Sequence, residues 1–326
     1  MDKKDEKYKL FLQIIFNLRR TTKMKRKKCL TGMLLAVMTV MAATGIAIAE
    51  EAETTQVAVA AENEDFSKTV FIPNGDHEIP AKIELPDKMD EENLVPAVVM
   101  LHGTGSVKDE VGGSYKRLAE MMAREGIASI RIDFMGSGES TASDADFDFD
   151  NAMSDAVAAT EYIKSIKGID SERIGLIGWS QGGIHAYRTA ANNEGYKSLV
   201  IWTTGTSRIT TTEEQRAEAE KNGYYTVEYD WREPMHVGYN WILGAEKYDV
   251  LSDVAKIQAP VLGLIGTEDS IFSVEEVETV ISNCANKNSK MYVIEGGDHT
   301  FNSLTLDTRV FYEAADATIK WFQETM

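Results

Sequence analysis

Residues 174–183 read Ile174-Gly175-Leu176-Ile177-Gly178-Trp179-Ser180-Gln181-Gly182-Gly183. A short apolar run passes directly into a serine with glycine two positions before and after it. A helical pattern follows over 182–192. The order is strand, sharp turn, helix. A serine hydroxyl is a poor nucleophile unless it is presented on a strained backbone from which neighbouring side chains are missing. Glycines at these two spacings remove the clashes such a turn would otherwise create. Gly183 further eases contact between the helix and a sheet beneath it.

Runs of the same kind recur at 97–101, 127–132, 199–202, 261–265 and 291–294. They are apolar almost throughout, which suits strands covered on both faces. Helical patterns lie between and beyond them, at 114–124, 150–166, 274–285 and 307–324. Alternation of this sort predicts a mostly parallel sheet with right-handed crossovers. Ahead of it, 68–72 and 77–84 alternate apolar and polar around Asn74-Gly75, the pattern of an antiparallel hairpin. The exception is 204–250, too long for a simple crossover and rich in Tyr and Trp. Long insertions on such cores often form lids or binding loops. Most of its aromatics are expected to build a small core of their own, with Trp231, His236 and Trp241 as candidate substrate contacts. For His236 a plain surface position is the alternative.

Three more loops follow strands. Leu101-His102-Gly103-Thr104-Gly105 can aim backbone N–H groups at a developing oxyanion. The expected donors are the N–H groups of Thr104 and of Gln181; the alternative is an ordinary glycine-rich turn. Gly266-Thr267-Glu268-Asp269 supplies a carboxylate, and Gly296-Gly297-Asp298-His299 an imidazole. The chain order Ser180, Asp269, His299 is nucleophile, acid, base. Five histidines exist. His77 falls in the hairpin, His102 in the oxyanion loop, His185 on the helix after Ser180, where it is expected to pack against the sheet, and His236 in the insertion. Only His299 follows the last strand. Asp269 is the expected acid, with adjacent Glu268 its rival. Asp298 is too close to His299 in sequence to reach its ring with good geometry.

From about residue 68 to the end the chain resembles the α/β-hydrolase superfamily. Within it, it is similar to the bacterial cinnamoyl (feruloyl) esterases and dienelactone-hydrolase-like esterases. The residues carrying this are His102-Gly103-Thr104-Gly105, Arg131-Ile132-Asp133-Phe134-Met135-Gly136-Ser137-Gly138-Glu139-Ser140, the turn around Ser180, Gly266 to Asp269, and Gly297-Asp298-His299. The resemblance implies an eight-stranded, mostly parallel sheet flanked by helices and a Ser180–His299–Asp269 triad. It also implies a structural role for Asp133 and a cap insertion after the sixth strand, where 204–250 falls.

Composition bounds the rest. With 43% hydrophobic and 26% charged residues and only 6 prolines among 326 residues, the chain is globular with a large core. Residues 1–49 carry a net +8 and residues 50–326 a net −26. So acidic a surface repels phosphate backbones and argues against nucleic-acid binding. Lys25, Arg26, Lys27 and Lys28 precede an uncharged stretch from Cys29 to Ala49 that ends Ala47-Ile48-Ala49. That is the order of a bacterial-type signal peptide with cleavage after Ala49. A secreted or cell-surface protein follows. The stretch is also long enough to span a bilayer, so an uncleaved anchor is the one expected route to a membrane. Met24 itself opens a conventional signal, and translation is expected to begin there rather than at Met1. Residues 50–65 read as an acidic linker, and 66–326 as one hydrolase domain.

Cys284 is the cysteine left after the signal and reads as a small core residue. No Cys/His spacing suggests zinc. The acidic run Ser143–Asp150 lacks the glycine and glutamate of an EF-hand loop and is read as a helix start capped by Asp148 or Asp150. No cofactor and no metal is expected. The leading expectation is a serine hydrolase of small carboxylic esters with a short acyl or a modest apolar or aromatic, hydroxycinnamoyl-like, group. A serine peptidase of the prolyl-oligopeptidase type is the second, because that group's elbow also commonly has tryptophan before the serine; no stretch reads as a propeller and no clear acidic pair is present to grip a peptide amine. A non-catalytic binding protein on the same scaffold is the third.

Overall fold

The computed structural model describes residue 66 and residues 68–326, apart from 208, 209 and 230–232. The expected signal segment, the acidic linker and Trp231 lie outside the described residues.

The first hairpin pairs β1 (Val70–Asn74) with β2 (His77–Glu84) in the register Ile72 to Ile79 and Asn74 to His77. Its two-residue connection needs a positive φ, which Gly75 supplies at 62°. The strands that follow are β3 (Val95–Leu101), β4 (Ala128–Ile132), β5 (Ile169–Trp179), β6 (Tyr196–Trp202), β9 (Val261–Gly266) and β10 (Lys290–Ile294). With the hairpin they make one eight-stranded sheet in the order β1-β2-β4-β3-β5-β6-β9-β10. β2 runs antiparallel to both neighbours, and every pairing from β4 to β10 is parallel.

Period-two alternation divides the core into two layers. Val99, Leu101, Ile130 and Leu176 face one side, under α2 (Phe149–Lys164) and α3 (Gln181–Asn192). Their neighbours Val98, Met100, Ile177, Val200 and Trp202 face the other, under α1 (Ser114–Arg124) and α8 (Arg309–Thr325). These side chains are fully or almost fully buried, which is why the strands read as continuous apolar runs. Cys284 lies in the first layer, just beyond α7 (Val274–Ser282), and is buried as expected of a small core residue.

The insertion leaves the sheet after β6 and returns at α6 (Val250–Val254). It contains α4 (Glu213–Asn222), an antiparallel pair β7 (Tyr224–Val227) and β8 (Met235–Gly238), and α5 (Tyr239–Lys247). Tyr225, Trp241, Ile242 and Ala245 form its core, which is continuous with Phe149 and Ile184 of the main body. The acidic run before α2 is used locally. Asp148 caps α2 in a reciprocal capping box with Asn151, and Asp144 accepts two hydrogen bonds from His236 of the cap.

Buried charge secures the loop after β3. Asp133, with no exposure, accepts from the backbone N–H of Lys108 at 2.6 Å, from the Lys108 ammonium and from the N–H of Glu139 at 2.9 Å. Burial by itself would lower the Lys108 pKa, but the bonds to Asp133 and Glu139 outweigh it and hold the group above its ordinary value. Lys108→Met removes the partner of a buried carboxylate. It should destabilise the fold by about 3–5 kcal/mol, read from the urea midpoint.

Candidate active site

In a parallel sheet all the strand-to-helix loops emerge at one rim. Here that rim collects the segments after β3, β4, β5, β6, β9 and β10. Ser180 stands between β5 and α3 with φ 53° and ψ −120°. A non-glycine residue pays for such a backbone only where its surroundings fix it. Its N–H donates to Trp202 O at 2.9 Å, and its carbonyl accepts from Gly183 N and from the Thr204 hydroxyl, each at 2.8 Å. The sequence had singled out the glycines but not Thr204, which lies on the next strand's loop.

Two glycines set the spacing around this turn. A Cβ on Gly182 would lie 2.1 Å from Leu101 O and 2.6 Å from His102 O, so α3 starts hard against the end of β3. A Cβ on Gly103 would meet Trp179 O at 3.2 Å and Ser180 Cβ at 3.4 Å. The 102–105 loop therefore runs directly alongside the serine. The loop is held from behind. The Gly103 N–H donates to Glu110, whose carboxylate also accepts from Ser106 Oγ and Val111 N, each at 2.7 Å. His102 donates from Nδ1 to Gly103 O at 2.8 Å and accepts at Nε2 from Phe134 N at 3.2 Å. Those two bonds fix the ring's tautomer and make His102 a structural part of the loop. Glu110 went unrecognised in the sequence, since its partner lies seven residues away across an irregular turn.

Opposite, the loops after β9 and β10 interlock through Glu268 N to Gly297 O at 2.9 Å and Thr267 N to Ile294 O at 3.0 Å. The Asp269 side chain is fully buried. It lies 2.9 Å from His299 Nδ1 through one oxygen and 3.2 Å through the other. Ile271 N and Phe272 N also donate to it, at 2.7 and 3.0 Å. Glu268 is exposed. Asp298 turns back on its own loop to accept from Thr300 N and Asn302 N. His299 is tied to the elbow itself, since Trp179 Nε1 donates to its carbonyl at 3.1 Å, and Phe272 flanks its ring. Among the described residues the imidazole's hydrogen bonds go to Asp269, and the last link, from Nε2 to the Ser180 hydroxyl, is not closed.

The other candidates sit elsewhere. Trp241 is 5% exposed and packs on Phe149 in the core of the cap. His236 is bound to Asp144 and edge-on to Tyr224, tying the cap to the loop before α2. His185, fully buried on the helix after Ser180, has Phe134, Phe147 and Phe149 as ring neighbours. A cleft of about 590 Å³ between α2, α3 and the cap, with Arg188, Asn240 and Tyr248 in its wall, includes none of Ser180, His299 and Asp269.

A family model described as the prolyl oligopeptidase family matches residues 114–326. The chain belongs to the prolyl oligopeptidase family. The putative carboxymethylenebutenolidase of Methylorubrum extorquens is 26% identical over 294 residues, covering 86% of each chain. The 2,6-dihydropseudooxynicotine hydrolase of Paenarthrobacter nicotinovorans is 26% identical over 225 residues, 68% of this chain and 56% of that one. Among solved structures, Est1E of Butyrivibrio proteoclasticus bound to ferulic acid superposes with a TM-score of 0.63 at 18% identity, covering 78% of this chain and 99% of that one. The fold is that of the α/β hydrolases, and the chain is a hydrolase of that fold. The family match includes the elbow, both interlocked loops and the insertion.

The contact at Gly182 allows a direct test. Gly182→Ala drives a methyl group into the Leu101 carbonyl. It should destabilise the domain by ~3 kcal/mol or more in urea unfolding, beyond the usual overpacking cost, because backbone rather than a side chain must move.

Proposed function

We propose that the chain is a secreted serine hydrolase that cleaves small carboxylic esters through an acyl-enzyme on Ser180. The observation that carries this reading is the buried Asp269 carboxylate 2.9 Å from Nδ1 of His299, whose carbonyl accepts from the tryptophan that precedes Ser180. An ionised carboxylate only accepts hydrogen bonds, so Nδ1 holds the proton and Nε2 keeps its lone pair. His299 Nε2 then removes the proton of Ser180 as its oxygen attacks the ester carbonyl. Asp269 stabilises the imidazolium that forms. Closure of the serine–imidazole link accompanies substrate binding, as catalytic hydrogen bonds often tighten only in the complex.

The developing oxyanion is received by the N–H groups of Thr104 and Gln181. The first residue of a helix has no intrahelical acceptor for its N–H, which leaves that of Gln181 available. Each such donor contributes about 3–4 kcal/mol to the transition state. Protonated His299 next gives its proton to the leaving alcohol, and water repeats the attack on the acyl-enzyme. Substrates with a short acyl or a modest aromatic group fit this reading, which draws on the ferulic acid bound to Est1E and on the aromatic cap. The basic cluster, apolar stretch and Ala47-Ile48-Ala49 support export with cleavage after Ala49.

The name of the matched family keeps peptide amides as the second reading. Parallel assays with p-nitrophenyl acetate and an aminoacyl-nitroanilide separate the two. Ester turnover is expected to dominate, and strong amidase activity with negligible ester cleavage would reverse the order. A fluorophosphonate should label the protein, and Ser180→Ala should abolish both labelling and turnover. Failure of the folded protein to label would instead favour a binding protein. Asp269→Asn should lower kcat on the order of 10⁴-fold, because the amide admits the wrong tautomer.

A further inference from the structure

The side chain of Gln181 is not used by the reaction as written, yet it is fully engaged. The Thr104 hydroxyl donates to Gln181 Oε1. Gln181 Nε2 lies 3.3 Å from Nε2 of His185, one turn further along α3. An amide nitrogen can only donate, so His185 Nε2 accepts and the ring carries its proton on Nδ1. His185 has no exposure, and Phe134, Phe147 and Phe149 meet it edge-on at centroid distances of 5.4, 5.5 and 5.2 Å. Its Nδ1 has no partner among the described residues. Burial first, with Arg188 and His102 adding in the same direction, pushes its pKa down to about 3. The acceptor at Nε2 therefore persists at every pH where such chemistry runs.

Thr104 lies on the loop after β3, and Gln181 is the first residue of α3, after β5. Thr104 is itself exposed, and its hydroxyl bond to Gln181 ties it across the gap to α3. We propose that Thr104 Oγ1, the Gln181 amide and His185 form a positioning relay that sets the distance between the two oxyanion-donating N–H groups, with His185 as its buried anchor. The proposal rests on the assignment of those donors under Proposed function. His185 touches no reacting atom; it acts through Gln181. Preorganised donors lose their advantage when a support slackens, because small displacements at the oxyanion are costly.

The experiment is a double-mutant cycle on p-nitrophenyl acetate hydrolysis with Thr104→Val and His185→Phe. The first removes the hydroxyl but keeps the backbone donor. The second keeps a flat ring in the phenylalanine cage but removes the acceptor. Each should lower kcat on the order of tenfold with KM unchanged, and the double variant should be no worse than either alone, since the two sever one chain. His185→Gln, which restores an acceptor, should recover most of the loss. Losses that multiply in the double variant, or a rise in KM with kcat intact, would overturn the relay. If His185→Phe does not fold, Gln181→Met takes its place, because it deletes the amide and keeps the N–H. Fluorophosphonate labelling of the unaltered protein separates the two levels. Labelled protein with unaffected variants overturns the relay alone, and unlabelled protein overturns the reading beneath it.

Discussion

The backbone of Ser180 is the constraint on which the other features depend. Its φ of 53° places the residue in a region that L-amino acids avoid, and only its surroundings keep it there. Trp202 holds it from the adjoining strand and Thr204 from the loop that leads into the cap. Gly182 allows α3 to begin in contact with the end of β3. Thr203, itself at φ 50° and fully buried, continues the strain one strand further, with its N–H on Leu264 O. The serine, the cap entrance and the β9 strand are thus parts of one backbone arrangement.

The two poles of the site are held differently. On the side of Asp269, a buried carboxylate is satisfied by two backbone N–H groups and an imidazole. On the other side, the loop after β3 is secured by charged side chains. Glu110 grips Gly103 from behind, and Lys108 and Asp109 anchor the same segment to Asp133 and Arg131. The buried Lys108–Asp133 pair adds little stability over an apolar packing of similar shape, but losing either partner leaves the other charge buried and unpaired.

Much of this was legible in the sequence, for a physical reason. Strands buried on both faces must be apolar throughout, so 97–101, 174–177 and 199–202 announce themselves, and the hairpin at Asn74-Gly75 follows from alternation and one turn residue. Ser180, Asp269 and His299 stand out because each follows such a strand. What could not be read were contacts between loops. Glu110 on Gly103, Thr204 on Ser180 and Asp144 on His236 join residues whose proximity is created by the fold and leaves no periodicity behind. The cap shows the same limit: its aromatics promised a core, and Trp241 packs on Phe149, a residue of the main body.

Cys284 has a consequence for how the cap can be observed. It is 1% exposed, its thiol is pushed up in pKa by burial, and the chain's other cysteine is Cys29. A protein beginning at residue 50 is therefore chemically silent toward maleimides in its native state. One thiol introduced at Glu220 of the cap and a second on the exposed turn at Asp76 would accept a donor and acceptor dye with no background to remove. The distance between insertion and sheet edge then becomes a quantity that single-molecule fluorescence can follow in the enzyme's own sequence.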